Sequence, residues 1–263
     1  MFHLSYLLQL SLICSAEPPP TDQPEFPPFP LPPQPTTYST VLNSHETTAY
    51  NNITITTTEA INLEQQTRQQ NTDIWHNARS LRLTSSNFHR ICSRRANHDT
   101  LAITLKTPVK RRTKAMQRGI DLESTAAIRY SEVTTNQVSP CGLVVNPHAP
   151  HLGTSPDRKV LEIKDGISNY GLLEIKCPSK DTIQECAFLK SQAHGTYTLN
   201  TSHTYHFQIT GQMGLTGMPW CDFFVMCKND YHLERIHFDQ GKWDAMKHKL
   251  DLFFFNHFIS HQG

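Results

Sequence analysis

The chain has 263 residues, 37% hydrophobic and 18% charged, with a formal net charge of +1. That composition excludes a collagen-like repeat and a chain disordered throughout. No apolar run approaches the ~20 residues needed to cross a bilayer, which excludes an integral membrane protein.

Split by position, the charge is uneven. Residues 1–60 carry no Lys or Arg and five acids, whereas the remaining residues carry 24 basic and 18 acidic side chains, a net of +6. Between Arg79 and Gly119 there are eleven Lys/Arg and one acid, Asp99. An acidic tail and a basic face point to a polyanionic partner. The seven cysteines are odd in number and none is paired as C-x-x-C, which reads as free thiols in a reducing compartment.

In chain order, Met1–Ala16 holds a short apolar stretch, Leu7–Ile13, followed by Cys14 and Ala16. It is signal-like but lacks a basic n-region, so a nuclear or cytoplasmic location is expected and secretion stays open. Ten of the 17 prolines lie between Pro18 and Pro35, and residues 36–58 are rich in Thr and Ser. Residues 1–70 are therefore expected to form a disordered tail, and residues 71–263 the folded domain.

Short helices are expected over 72–80 and 84–93 and a longer one over 117–130, with Ile120, Glu123, Ala127 and Tyr130 on one face. A strand is expected over 138–145, and a hairpin from Lys159–Ile163 to Tyr170–Lys176. Helices follow at 181–194 and 203–217, then a second hairpin, Phe223–Cys227 with Tyr231–Phe238. The chain closes on an amphipathic helix with a stripe of Trp243, Met246, Leu250, Phe253, Phe254 and His257.

The chemistry concentrates in Ser155-Pro156-Asp157 and, after sixteen intervening residues, Glu174-Ile175-Lys176. On a hairpin, alternation places Glu174 and Lys176 on one face and Ile175 on the other, in the core. Asp157, entering the preceding strand, reaches the same point. Hard oxygen donors of this kind suit Mg²⁺ or Mn²⁺, which can present a water to phosphorus while Lys176 orients or deprotonates that water. The histidine pairs His148/His151, His203/His206 and His257/His261 have ligand-like spacing, but no second pair completes a zinc site. The run Lys110-Arg111-Arg112-Thr113-Lys114 suits phosphate contact, nuclear import or a solvated loop.

The spacing D-x16-E-x-K resembles the PD-(D/E)xK nuclease superfamily. The longer words GLVVNPHAPHLGTSPD, GLLEIKCP and HFQITGQMGLTGMPWCDFFV resemble the YqaJ viral recombinase family, relatives of phage lambda exonuclease. The resemblance runs from about Trp75 to the C-terminal helix. It implies an α/β fold: a restriction-endonuclease-like core with a central mixed sheet of about five strands flanked by helices and the site at one sheet edge.

It further implies that Asp157, Glu174 and the Ile175 carbonyl hold the metal and that Lys176 acts on the attacking water. Glu123 would bind the metal or its water shell, and Gln208 would position Lys176 or the water. Arg79, Ser86 and Ser155 would hold DNA phosphate, with Trp75 and Arg79 matching an opening W-x3-R. The implied activity is Mg²⁺-dependent hydrolysis of DNA, as an exonuclease on linear duplex ends in recombination or repair. A recombinase or annealing partner and a homotrimer are also implied. The chain departs from the family pattern at His151 (Trp in the family), Arg158 (Gly) and Thr210 (the second Gln of Q-x-Q). Two other readings stay open: a silent DNA-binding module derived from such a nuclease, and a structure-specific endonuclease.

Overall fold

The structure, a computed structural model, describes residues 26–107 and 113–261; the signal-like segment 1–16 and the basic residues 110–112 lie outside them. Among the described residues no helix is long and apolar enough to cross a membrane.

Residues 26–70, expected to be disordered, are folded onto the rest of the chain. Phe29 is buried, Leu31 donates its N–H to the Thr216 carbonyl (2.8 Å), and Tyr38 stacks on Phe255. Helices α1 (Ser44–Asn51) and α2 (Thr57–Gln66) each open with a reciprocal capping box, Asn43 with Glu46 and Thr56 with Glu59. Helix α2 buries Glu64, whose carboxylate accepts from Gly142 N–H (3.1 Å) and from Arg68, and lies 3.4 Å from the buried Lys159 ammonium. A side chain at Gly142 would collide with the Glu64 carbonyl, and one at Gly217 (φ +80°) with the Leu31 carbonyl. Both glycines permit a backbone approach by this N-terminal segment.

Helix α3 (Asp73–Ser80) starts at Thr72, whose hydroxyl accepts from Trp75 N–H. A short strand β1 (Leu83–Thr84), helix α4 (Phe88–Cys92) and helix α5 (His98–Lys106) lead to α6 (Lys114–Thr134). On α6, Ala127 and Tyr130 are buried as expected, while Ile120 is exposed.

The strand expected over 138–145 is two strands, β2 (Gln137–Pro140) and β3 (Val144–Asn146), in different sheets, because the chain breaks at Cys141-Gly142 to meet α2. Strand β4 (Ala149–Thr154) pairs with β3 and, in parallel, with β1. Strands β5 (Arg158–Lys164) and β6 (Ile167–Lys176) form the expected hairpin, turning at Asp165-Gly166, both at positive φ (52° and 77°).

The helix expected over 181–194 is absent. A capping box between Thr182 and Glu185 closes a single 3₁₀ turn, and the chain then runs into β7 (Leu189–Ser191) and β8 (Tyr197–Leu199). Helix α7 (Thr204–Thr216) ends at Gly217 in the left-handed conformation. Strands β9 (Trp220–Met226) and β10 (Tyr231–His237) and helix α8 (Gln240–Phe253) complete the fold.

The main sheet has the order β10-β9-β6-β5-β2, antiparallel except for β6 with β9. Alternation along β6 divides its side chains between two layers. Leu173 and Ile175 pack with Ala126, Ala127 and Tyr130 of α6, while Leu172 packs with Ile209 and Met213 of α7. Helices therefore cover both faces, and each fully buried Leu, Ile or Phe contributes about 1.5–3 kcal/mol. The α8 stripe is a separate core with Phe88, Ile91, Leu101 and Ile53.

His151, one of the three departures from the resembled pattern, is buried in this second core. Its Nε2–H donates to Asp251 (2.8 Å), which also accepts from Lys247 (2.7 Å), and the rings of Phe254 and Phe255 flank it. Burial holds the imidazole below its ordinary pKa; Asp251 opposes this, and Lys247 and Arg82 reinforce it. The unfolded chain then takes up a proton that the folded chain refuses, so stability is full above about pH 6.5 and declines below it. Urea titrations of wild type and His151→Gln from pH 7.5 to 5 will show this slope in wild type and a shallower one in the variant.

Candidate active site

The parallel β6–β9 pair and α7 position the site. Glu174 and Lys176, two apart on β6, face α7. The expectation of a site at a sheet edge is corrected: it lies at the C-terminal end of β6, the central strand of five. Asp157 precedes β5, and its Oδ2 accepts from the Ile175 N–H (2.6 Å), tying the two arms of the motif together through backbone. The Ile175 side chain points the other way, into the core against α6.

Glu174 is fully buried, and its carboxylate is fixed on both oxygens. Oε1 accepts from Lys176 Nζ and from Gln208 Nε2 (2.7 Å), and Oε2 accepts from Gln212 Nε2 (2.6 Å). Gln208 thus holds the carboxylate that pairs with Lys176. Gln212 is the residue that sequence reasoning missed. Thr210 turns away to the His206 carbonyl, and the second glutamine of the site comes one helical turn after Gln208, at i+4 on the same face of α7. Replacing Gln212 with Met keeps its volume and removes its donor. Were Glu174 to hold a metal, loss of this support is expected to lower turnover about 10- to 100-fold, with far less change in KM, in steady-state kinetics of nucleic-acid cleavage.

The electrostatics follow from this crowding. Burial raises the Asp157 carboxyl well above its ordinary range; Glu174 and Glu123 add to the rise, and Lys176 and the Ile175 N–H oppose it. Desolvation pulls the Lys176 pKa down, but Glu174 and Asp157 outweigh it and hold the ammonium charged, beneath the Tyr205 ring (4.7 Å).

Glu123 stands farther out on α6, held by Arg158 (2.5 Å), which also donates to the Asp157 carbonyl. Arg158, another departure from the resembled pattern, thereby links Glu123 to the motif. Among the described residues no three His, Cys, Asp or Glu side chains form a metal cluster by themselves. The donor set fits a small hard cation nonetheless. Mg²⁺ commonly takes one or two carboxylates and keeps several waters, and a divalent charge beside Asp157 and Glu174 would relieve the repulsion that raises Asp157. By the resemblance, the residues that would hold it are Asp157, Glu174 and the Ile175 carbonyl, with Glu123 on its water shell.

A second cluster adjoins the first. Ser155 Oγ accepts from Trp75 Nε1 (3.1 Å) and Arg79 Nη1 (3.3 Å), and the Arg79 guanidinium lies over the Trp75 ring (4.1 Å). Burial lowers the Arg79 pKa to about 10, which still leaves it cationic at neutral pH. Ser86 is exposed and bonds to Thr84, not to Ser155. It follows the parallel β1–β4 pairing (Thr84 opposite Gly153), so the backbone carries Ser86 and Ser155 off the same end.

A central mixed sheet, helices on both faces and a Glu-x-Lys pair on the middle strand, joined by an Asp that enters the neighbouring strand, together define a restriction-endonuclease-like nuclease fold. Residues 74–219 match the model of the YqaJ-like viral recombinase domain, and the chain belongs to that family. No curated protein matches it.

Among solved structures it is similar to the alkaline exonuclease LHK-Exo from Laribacter hongkongensis, with 28% identity over 70% of this chain and 91% of that one and a TM-score of 0.55. The fold alone is shared with a phage-related exonuclease from Haemophilus somnus, with 13% identity over 70% of this chain and 96% of that one and a TM-score of 0.50. It is also shared with SOX in a DNA complex, with 13% identity over 78% of this chain and 71% of that one and a TM-score of 0.50.

Proposed function

We propose that this chain is a divalent-metal-dependent deoxyribonuclease, an exonuclease on linear duplex ends serving recombination or repair. The observation that carries the reading is the fully engaged Glu174, joined to Lys176, Gln208 and Gln212 beside Asp157. An ordinary surface ion pair would not bury a carboxylate and dedicate two glutamines to it.

Mg²⁺ or Mn²⁺ bound there supplies Lewis acidity at the scissile phosphate and lowers the pKa of a water. Lys176, held as an ammonium by its two carboxylates, serves as a donor that orients the attacking water and offsets charge developing on the phosphate oxygens, in preference to removing the proton. Glu174 holds Lys176 in place, and the glutamines prevent the carboxylate from rotating. Arg79 and Ser155, with Ser86 leaving the same end of the β1–β4 pair, are suited to a phosphate of the strand being cut, and the Trp75 ring holds the planar guanidinium in position. The similarity to an alkaline exonuclease supports the exonuclease reading. A recombinase partner and a homotrimer are carried into the proposal from the family alone.

The test is digestion of linear, nicked and circular duplex DNA with Mg²⁺ or EDTA. Metal-dependent loss of linear DNA with circles spared is the expected result. Cutting of closed circles would replace it with the endonuclease reading, and binding without cutting would make the chain a silent module.

A further inference from the structure

Two thiols lie in contact outside the site. Cys186 Sγ is 3.7 Å from Cys227 Sγ, and both are buried, in the core shared by Phe223, Val225 and Leu189. The segments that carry them are already fastened together. Lys228 and Asn229 donate backbone N–H groups to the carbonyls of Lys180 (3.1 Å) and Asp181 (3.0 Å), and Ile183 N–H donates to the Asp230 carboxylate (2.9 Å). A disulfide requires its two backbones to be close and held at a compatible orientation, and these bonds supply the closeness in advance.

We propose that Cys186 and Cys227 are an oxidant-responsive pair that closes to a disulfide and thereby alters the candidate active site. The oxidant is a peroxide. The Cys186 thiolate attacks a peroxide oxygen, expelling hydroxide and forming a sulfenic acid. Cys227 sulfur then attacks Cys186 sulfur, the S–O bond breaks, and the S–S bond forms. Over both steps two thiols and one hydrogen peroxide give one disulfide and two waters. Burial raises both thiols; Cys227 opposes the rise at Cys186, whereas Cys186 adds to it at Cys227, which is pushed up to about 12. Cys186 is therefore the group that ionises first, and closure speeds up with rising pH.

The pair sits at the active end of the sheet. Val225, two residues before Cys227, pairs with Lys176 across the parallel strands. Phe188, two residues after Cys186, packs its ring edge-on against Tyr205 (5.1 Å), and the Tyr205 ring covers the Lys176 ammonium. Bond formation shortens the sulfur separation from 3.7 Å to about 2.05 Å, drawing the Phe188 segment toward the end of β9 and disturbing the ring that seats the lysine. This second part rests on the nuclease reading.

The experiment takes the full chain, reduced and desalted, through a hydrogen peroxide titration, followed by alkylation and peptide mass mapping without reductant. The expected product is a single Cys186–Cys227 linkage, reversed by dithiothreitol and absent from Cys186→Ser and Cys227→Ser. Cleavage of linear DNA by the oxidised wild type is expected to fall about tenfold or more and to return on reduction, while Cys227→Ser keeps its rate through the same treatment. Linkages between other cysteines, or over-oxidation without a linkage, overturn the pair. A fully linked chain that cuts at the reduced rate overturns its coupling to the site. The mapping needs no activity, so an inert reduced chain would count against the nuclease reading and leave the pair to be decided by mass.

Discussion

Glu174→Gln is expected to lower cleavage of linear duplex DNA by about a thousandfold or more while leaving DNA binding in EDTA within a fewfold of wild type. The substitution preserves shape, so what it removes is one charge at the point where three donors converge: Lys176, Gln208 and Gln212. Loss of the carboxylate removes the proposed metal ligand and releases the ammonium from its anchor, and removing a single preorganised electrostatic contact of this kind costs about 100- to 1,000-fold by itself. A thousandfold corresponds to about 4 kcal/mol of transition-state stabilisation. Binding should survive because the Arg79–Ser155 cluster is built from other side chains. Single-turnover digestion with Mg²⁺ and gel-shift titration in EDTA provide the two readings, and wild-type cleavage by Glu174→Gln would sink the assignment of this motif as the catalytic centre.

The second large effect concerns the fold. Glu64→Ala should destabilise the chain by about 3–5 kcal/mol, a large fraction of the ~5–15 kcal/mol that ordinary domains possess. Glu64 is the anion facing buried Lys159, and it also accepts from Arg68 and the Gly142 N–H. Removing it strands an ammonium under the Phe26 and Phe29 rings (5.1 and 5.8 Å), where cation–π contacts recover only part of the loss. Urea unfolding at neutral pH measures it. A midpoint equal to wild type would mean that α2 is not docked on β3 and β5 in solution.

The catalytic hairpin was legible because its information is local. Period-two alternation, an Asp-Gly turn and the Glu-x-Lys triplet all lie within twenty residues, and Asp157 needs only a strand's length to reach Ile175. Gln212 was illegible for a different reason. Its i+4 relation to Gln208 is visible in the sequence, but that both face Glu174 depends on which side of β6 helix α7 covers. The N-terminal segment was misread through composition. Its Thr and Pro content masked two capping signatures, Asn43-x-x-Glu46 and Thr56-x-x-Glu59, that announce helix starts by their chemistry. Glu64 itself gives no such signal, since a glutamate in a polar stretch ordinarily faces water. Its burial depends on Lys159, nearly a hundred residues away. The helix expected over 181–194 failed because apolar residues at helical spacing there serve a 3₁₀ turn and two short strands.

The family match covers residues 74–219, yet strand β9, which pairs with the motif-bearing strand β6, begins at Trp220, and the Leu31 and Glu64 contacts come from before residue 74. What is inherited as a recognisable word is therefore smaller than what must fold as a unit. Cutting the gene at the borders of the match would keep Glu123, Asp157 and Glu174 and discard the strand beside them, yielding a polypeptide that contains the motif but not the site.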